Sequence, residues 1–293
     1  MSVQSSKARP QSARLAAELS QAGFQRVADL ALQKAGLTIP SSKLGMIQSR
    51  LAKRLAATGY ETFDQYLDFL FSGDGANELP QAISSLTTNV SQFFREAHHF
   101  ETLRTQILPA LVERARTGAR VRIWSAGCSS GQEPLSIATE LLEFAQDIAA
   151  LDMRILATDI DHAILGRANA AIYTPQQVVD VPDGILKRYF VEEASGAAGY
   201  RAADDLLELI AYRKLNLIDP WPMKNRFDVI FCRNVVIYFS DDTQSALWPR
   251  FHAALAPDGW MFLGHSERLD DVAARSFVNA GVTTYRPASA AGS

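Results

Sequence analysis

One stretch constrains the fold of this chain more than any other: Val121-Arg-Ile-Trp-Ser-Ala-Gly-Cys-Ser-Ser-Gly-Gln-Glu133. Val121, Ile123 and Trp124 are β-formers and predict a short, mostly apolar strand. The small residues from Ala126 to Gly131 then make a turn that lets a ligand lie against bare backbone. Pro134 suits the first turn of a helix, and Leu135, Ile137, Ala138, Leu141, Leu142 and Ala145 give that helix its apolar positions. Strand, glycine loop and helix together form the ligand-binding corner of a doubly wound α/β sheet.

A dinucleotide is the first ligand to consider, and the charge argues against it. Its pyrophosphate would sit on the helix N-terminus, where this chain places Glu133. A carboxylate suits the helix dipole there but repels phosphate. No Lys follows the second glycine, so a phosphate-cradling hydrolase loop is excluded as well. Glu133 suits a cationic ligand instead, and S-adenosylmethionine carries both an ammonium and a sulfonium. On these residues alone, a helix-capping Glu after a tight turn stays open.

A second acid adds weight about 26 residues further on. Met153–Thr158 reads as a strand that ends in Asp159-Ile-Asp161. An acid at the carboxyl end of the second strand can accept hydrogen bonds from both ribose hydroxyls, which is the role expected of Asp159. Asp161 is expected to cap a helix from His162 to Asn169.

The chain has 293 residues, 47% of them hydrophobic and 21% charged, as in an ordinary soluble protein of one large or two smaller domains. No apolar run approaches the roughly 20 residues of a membrane span, and there is no signal-peptide pattern. Cys128 and Cys232 make neither a disulfide framework nor a zinc spacing, and the five His are scattered, so no metal site is expected. Charge is uneven: residues 1–60 hold nine Lys/Arg against Glu18 and Asp29, a net +7, and the rest of the chain carries −10. The amino-terminal part is therefore expected to meet an acidic partner.

Residues 1–12 read as disordered, and helical periodicity covers 13–35, 41–58, 62–72 and 77–86, with Ser41 as a possible cap. In the second of these helices Leu44, Ile47, Leu51 and Leu55 form one stripe, while Lys43, Arg50, Lys53 and Arg54 fall largely on another face. Either a solvated basic face or a dock for an acidic partner fits that pattern. No aromatics interleave the cations, which speaks against nucleic acid. A linker around 87–100 and a helix at 99–117 precede the central strand. Residues 186–191, 196–201 and 206–212 are expected to form a small antiparallel insertion, and Leu215–Ile218 the end of another strand. Further strands are expected at 227–232, 260–263 and 283–285, a helix at 242–255, and a frayed tail from 287.

Several ordered motifs resemble the chemotaxis-receptor glutamate methyltransferases, the CheR family. They are Thr-Thr-Asn-Val-Ser-Gln-Phe-Phe-Arg-Glu-Ala-His-His-Phe at 87–100, Trp-Ser-Ala-Gly-Cys-Ser-Ser-Gly-Gln-Glu-Pro at 124–134 and Asp-Ile-Asp at 159–161. Phe-Cys-Arg-Asn-Val-Val-Ile-Tyr-Phe at 231–239 and Gly-His-Ser-Glu at 264–267 complete the set, so the match runs from about 13 to 286. The basic face of the second helix predicts that Arg50, Lys53 and Arg54 dock the receptor, and the resemblance implies a helical amino-terminal domain at 13–88. It implies an S-adenosylmethionine-dependent α/β methyltransferase domain at 89–286 on a seven-stranded, Rossmann-like sheet, with a β-subdomain inserted at about 186–212. Asn89, Ser91 and Arg95 would close over the cofactor, beside Gly127. Glu133 would bind its methionine end, Asp159 its ribose, and Asn216 and Leu217 its adenine, with Arg233 and Asn234 alongside. Ser91 stands where relatives often have Thr, and Gln132-Glu133 where an acidic pair is more usual. His265, Ser266 and Glu267 are read as structural. Some members grip a carboxyl-terminal receptor peptide through the β-subdomain. The short turn at 193–199 predicts a tether-independent enzyme here.

The expected reaction moves a methyl group to glutamate side chains on the cytoplasmic helical region of chemoreceptors, leaving S-adenosylhomocysteine. A glutamate with a pKa of about 4.3 is already an anion at pH 7 and needs no general base. Placement is the remaining demand, with Arg95 orienting the carboxylate and Tyr238 holding it through the phenol. The expected protein is a cytoplasmic monomer, without nucleic acid and without insertion into the membrane. An amine or nucleic-acid methyltransferase fits less well, because Arg233-Asn234-Val235-Val236 lacks the prolines of the amine-methylating turn. A non-catalytic, cofactor-sensing binding module remains the alternative.

Overall fold

The computed structural model describes residues 18–193 and 199–288. The expectations for 1–17, for the interior of the 193–199 turn and for the tail beyond 288 lie outside those residues.

Four helices open the described chain: α1 (Gln21–Ala35), α2 (Leu44–Thr58), α3 (Phe63–Phe71) and α4 (Leu79–Leu86). Their ends follow local chemistry. The Ser20 hydroxyl caps α1 by accepting from the Gly23 N–H, and Gly36 ends it in the left-handed region at φ 70°. Thr62 and Gln65 cap α3 reciprocally. Gly59 ends α2 at φ 81°. At its start the expected cap is replaced: Ser41–Lys43 form a 3-10 turn after Pro40, and no side chain caps the helix. Phe24, Ile47, Leu51, Tyr66, Leu67 and Ile83 bury one shared core.

The polar stretch 87–96 leads into α5 (Ala97–Thr102), a π-helical turn (Leu103–Ile107) and α6 (Leu108–Arg116). The strands then alternate with helices: β1 (Val121–Ala126), α7 (Gln132–Phe144), β2 (Met153–Asp159), α8 (His162–Ala170) and β3 (Ile172–Tyr173). After α9 (Asp183–Tyr189) come β4 (Phe190–Glu193), β5 (Gly199–Ala202), α10 (Asp204–Leu207) and β6 (Ile210–Lys214). The chain closes with β7 (Phe227–Cys232), α11 (Asp241–Ala254), β8 (Leu255–Leu263), β9 (Phe277–Gly281) and β10 (Thr284–Pro287). The main sheet has seven strands in the order β6-β2-β1-β7-β8-β10-β9. All pairings from β6 to β8 are parallel, and β10 runs antiparallel to both β8 and β9. The strand order reverses at β1, so ligands belong in the crevice at its carboxyl end.

The small antiparallel sheet is β3-β5-β4, which corrects the expected insertion at both ends. Residues 186–189 belong to α9, and Ile210–Lys214 pair in parallel with β2 as the edge of the main sheet. The apolar run predicts a strand at 206–212, but Leu206 and Leu207 end α10, and the run does not reveal the neighbour of the strand that follows. Leu215–Ile218 is the loop that leaves β6 rather than a strand.

Candidate functional site

The loop after β1 owes its shape to two glycines with positive φ, Gly127 at 82° and Gly131 at 95°. At Gly127 a Cβ would come within 2.3 Å of the Val235 side chain, so no larger residue fits between β1 and the loop after β7. Ser129, also at positive φ, donates its N–H to Asp159 Oδ2 (2.9 Å), and Asp161 N–H donates to Oδ1 (3.0 Å). Burial pushes the Asp159 carboxyl up from its usual value, against the pull of those N–H groups. Asp161 caps α8 through the N–H groups of Ala163 and Ile164, and its other oxygen accepts from Asn89 Nδ2 at 2.9 Å. The linker is thus tied to the carboxyl end of β2.

Glu133, in the first turn of α7, is buried, and both its oxygens are engaged. Ser125 Oγ donates to one (2.7 Å) and Arg233 Nε to the other (2.8 Å). Arg233 Nη1 reaches the Arg95 carbonyl (2.6 Å) and His99 Nδ1 (3.0 Å). Because Nδ1 accepts there, the His99 proton sits on Nε2, facing the Val282 carbonyl and the Thr283 hydroxyl. Burial, and then the Arg233 charge, lower the pKa of His99 to about 3.

These elements surround a cavity of about 360 Å³. Asn89, Ser91, Arg95, Gly127, Glu133, Asp159, Asn216, Leu217, Arg233, Asn234 and Tyr238 all line it, so the structure gathers every expected cofactor and catalytic position. Among the described residues the Arg95 side chain has no hydrogen-bond or ion-pair partner. The Asn216 amide donates to the Lys34 carbonyl (2.9 Å), which leaves that side chain holding α1 rather than pointing freely at a ligand.

Two family models cover this architecture in chain order. Residues 22–87 match the CheR methyltransferase all-alpha domain, and residues 89–286 match the CheR methyltransferase SAM binding domain. The chain belongs to the CheR methyltransferase family. A Rhizobium etli protein named "Probable chemotaxis protein methyltransferase" is 45% identical over 253 residues, which is 86% of this chain and 94% of that one. The Salmonella typhimurium chemotaxis protein methyltransferase is 37% identical over 270 residues, 91% of this chain and 90% of its own. That of Borreliella burgdorferi is 34% identical, covering 84% and 88%.

The CheR cofactor, S-adenosylmethionine, fits the groups present. Gly127 and Ser129 line the cavity, and the buried Ser129 hydroxyl has no partner among the described residues. Asp159 would hold the ribose and Glu133 the methionine end, with Arg95 close by. Glu96, His98 and His99 also bring possible metal-ligand atoms within 4.8 Å of one another. The Arg233 guanidinium already binds His99 Nδ1 and lies 3.9 Å from Glu96, so a further cation would meet a fixed positive charge.

The basic helix is less free than its sequence implies. Arg50 donates to the carbonyls of Leu86 and Thr87 at the end of α4, both at 2.9 Å, and lines the cavity. Arg54 forms a two-pronged pair with Glu78 (2.8 and 2.6 Å), which also accepts from the Tyr66 hydroxyl. Lys43 and Lys53 are exposed, and Lys43 lines the cavity. Sequence reasoning also missed the wall contributed by Leu37–Pro40 and Met46. Thr38 N–H donates to the Tyr238 carbonyl (2.7 Å), and Leu37 bridges Phe239. Nothing local to residues 36–40 signals that contact, apart from the glycine ending α1.

Proposed function

We propose that this protein transfers a methyl group from S-adenosylmethionine to glutamate side chains on the helical cytoplasmic region of chemoreceptors, forming glutamyl methyl esters. One observation carries the choice of acceptor: among the described lining residues, no free base faces the cavity. No histidine lines it, and the carboxylates of Glu133 and Asp159 are held by donors from the chain itself. An amine acceptor must lose a proton, whereas a carboxylate is already a nucleophile at neutral pH. When bound, the cofactor supplies a methyl group activated by its sulfonium. Arg95 orients the acceptor carboxylate from the cavity's edge, and Tyr238 holds it through the hydroxyl. The linker and the amino-terminal domain wall one side of the cavity. The exposed Lys43 and Lys53 offer the acidic receptor helix a positive approach. The relatives' printed role in chemotaxis supports the same reading, under which the enzyme works in the cytoplasm as a monomer.

The deciding experiment is transfer of labelled methyl to receptor cytoplasmic fragments, followed by mild base. Release of labelled methanol supports an ester. Label that survives base would overturn the reading in favour of N-methylation, and cofactor binding without transfer would favour a sensing module. Arg95→Ala and Tyr238→Phe are each expected to lower turnover by about 10²-fold, the scale of a lost placement interaction. Normal turnover in either variant would remove that residue from the mechanism.

A further inference from the structure

Besides Ser129, two non-glycine residues at the cavity sit in the left-handed region, Glu96 at φ 59° and Asn234 at φ 59°. Such backbone costs of order 1–3 kcal/mol and persists only where its surroundings hold it. One loop, Gly264–Glu267, grips both. Glu267, only 2% exposed, accepts the N–H groups of Asn234 (2.8 Å), Val235 (2.8 Å), Val236 (2.9 Å) and Ile237 (3.3 Å), and that of Gly264 (2.5 Å). The first four of those donors are the successive amides of the turn that leads to Tyr238, so the carboxylate fixes the turn as a unit. Burial pushes the Glu267 carboxyl up, and the amides pull it back towards the charged form.

The same loop reaches the other half of the site. The His265 N–H donates to Glu96 Oε1 at 3.1 Å, and Glu96 directly follows Arg95. Burial would raise the Glu96 pKa, but the His265 N–H, the Arg233 charge and its other neighbours outweigh it and hold it below its usual value. Gly264 is compatible only with glycine: a Cβ would lie 2.5 Å from Asn234 Nδ2 and 2.8 Å from both Asn234 N and Glu267 Oε2. The two grips meet at neighbouring points of the site, since Arg233 Nη1 also reaches the Arg95 carbonyl at 2.6 Å, and a loop needed only to end a strand has no use for both.

We propose that the Gly264–Glu267 loop is a positioning clamp that sets Arg95, through Glu96, and Tyr238, through Glu267, at their working separation. Glu267 touches neither cofactor nor acceptor and acts only through the backbone it holds. The inference rests on the methyl-transfer reading above, so wild-type transfer to receptor fragments is measured first. If wild type transfers nothing, the reading fails, and the clamp is judged on cofactor-product affinity alone.

Glu267→Gln turns an acceptor oxygen into an amide that faces N–H donors. Glu96→Ala releases the Arg95 side while leaving the His265 N–H open to water. At saturating cofactor and receptor, each is expected to lower kcat by at least about 10-fold, since misplacement near 1 Å can cost about 10². Each is also expected to weaken S-adenosylhomocysteine binding by calorimetry by about 10-fold, as Arg95 and Asn234 drift. Ser266→Ala, exposed and outside both grips, is expected to match wild type. If Glu267→Gln does not fold, Glu96→Ala decides alone. Lower Tm with unchanged kcat and unchanged product affinity would reduce the loop to support of the fold and overturn the proposal.

Discussion

Glu133 shows how far a single residue can be read from sequence. Its place after a glycine loop identifies an acid at a helix N-terminus, and its charge excludes a phosphate. Its partner was not legible, because Arg233 lies 100 residues away and meets it only once β1 and β7 are neighbours. The pair changes the expected consequence of mutation. Arg233 has a side chain 2% exposed, so removing the Glu133 charge strands a buried guanidinium. Glu133→Gln is therefore expected to cost about 3–5 kcal/mol of stability as well as cofactor affinity. Adding Arg233→Met should return part of the stability and none of the affinity, as read by urea unfolding and calorimetry. Equal loss in the single and double variants would show that the pair is not coupled. His99 extends the argument to pH. It is neutral in the fold, with a pKa of about 3, whereas the unfolded chain takes up a proton below about pH 6.5. Its contribution to stability is intact above pH 6.5 and is lost as pH falls towards 3. The slope is about 1.4 kcal/mol per pH unit, so about 2 kcal/mol goes between pH 6.5 and 5. His99→Gln should unfold in urea with a shallower pH dependence by that amount, and an unchanged slope would place the effect elsewhere.

At the scale of elements, periodicity locates the long helices, since it depends on residues a turn apart, but residues 186–189 of α9 read as strand and the expected Ser41 cap of α2 is absent. Sheets were harder. The apolar run at 206–212 signals a strand, but only the parallel edge of β2 assigns Ile210–Lys214 to the main sheet. The π turn at Leu103–Ile107 left no signature, because its widened turn answers to packing rather than to propensity. The basic face of α2 carries the same lesson, since spacing shows which cations share a face but not which are already paired. Arg54 and Glu78 have side chains 27% and 9% exposed and share the Tyr66 hydroxyl. Arg54→Glu would set two carboxylates together and is expected to cost about 3 kcal/mol. A rise in receptor KM in that variant would therefore be confounded by unfolding. Lys53→Glu is the clean test of docking: stability within about 0.5 kcal/mol of wild type, with KM for receptor raised and KM for cofactor unchanged. If KM for receptor did not move, Lys53 would leave the docking surface.

For the whole molecule, the two domains are parts of one site rather than a catalytic unit with a docking appendage. The carboxyl end of α1 meets the catalytic domain at three points: Asn216 binds the Lys34 carbonyl, Thr38 binds Tyr238, and Leu37 pairs with Phe239. Gly36 lies at their centre with φ 70°, and a Cβ there would come within 2.9 Å of Ile218 Cγ2 and 3.0 Å of Thr243 Cγ2. Gly59 ends α2 with nearly the same backbone, φ 81°, and open space around it. The two glycines form a matched pair. Alanine at either carries the left-handed penalty of about 1–2 kcal/mol, but only Gly36→Ala must push the domains apart. Gly59→Ala should lose that stability and keep wild-type affinity for S-adenosylhomocysteine. Gly36→Ala should lose similar stability and also bind the product about 10-fold more weakly, about 1.4 kcal/mol, because the wall at Leu37–Pro40 and the Tyr238 backbone shift together. Equal affinity in the two variants would mean that the catalytic domain holds its cofactor without the amino-terminal domain.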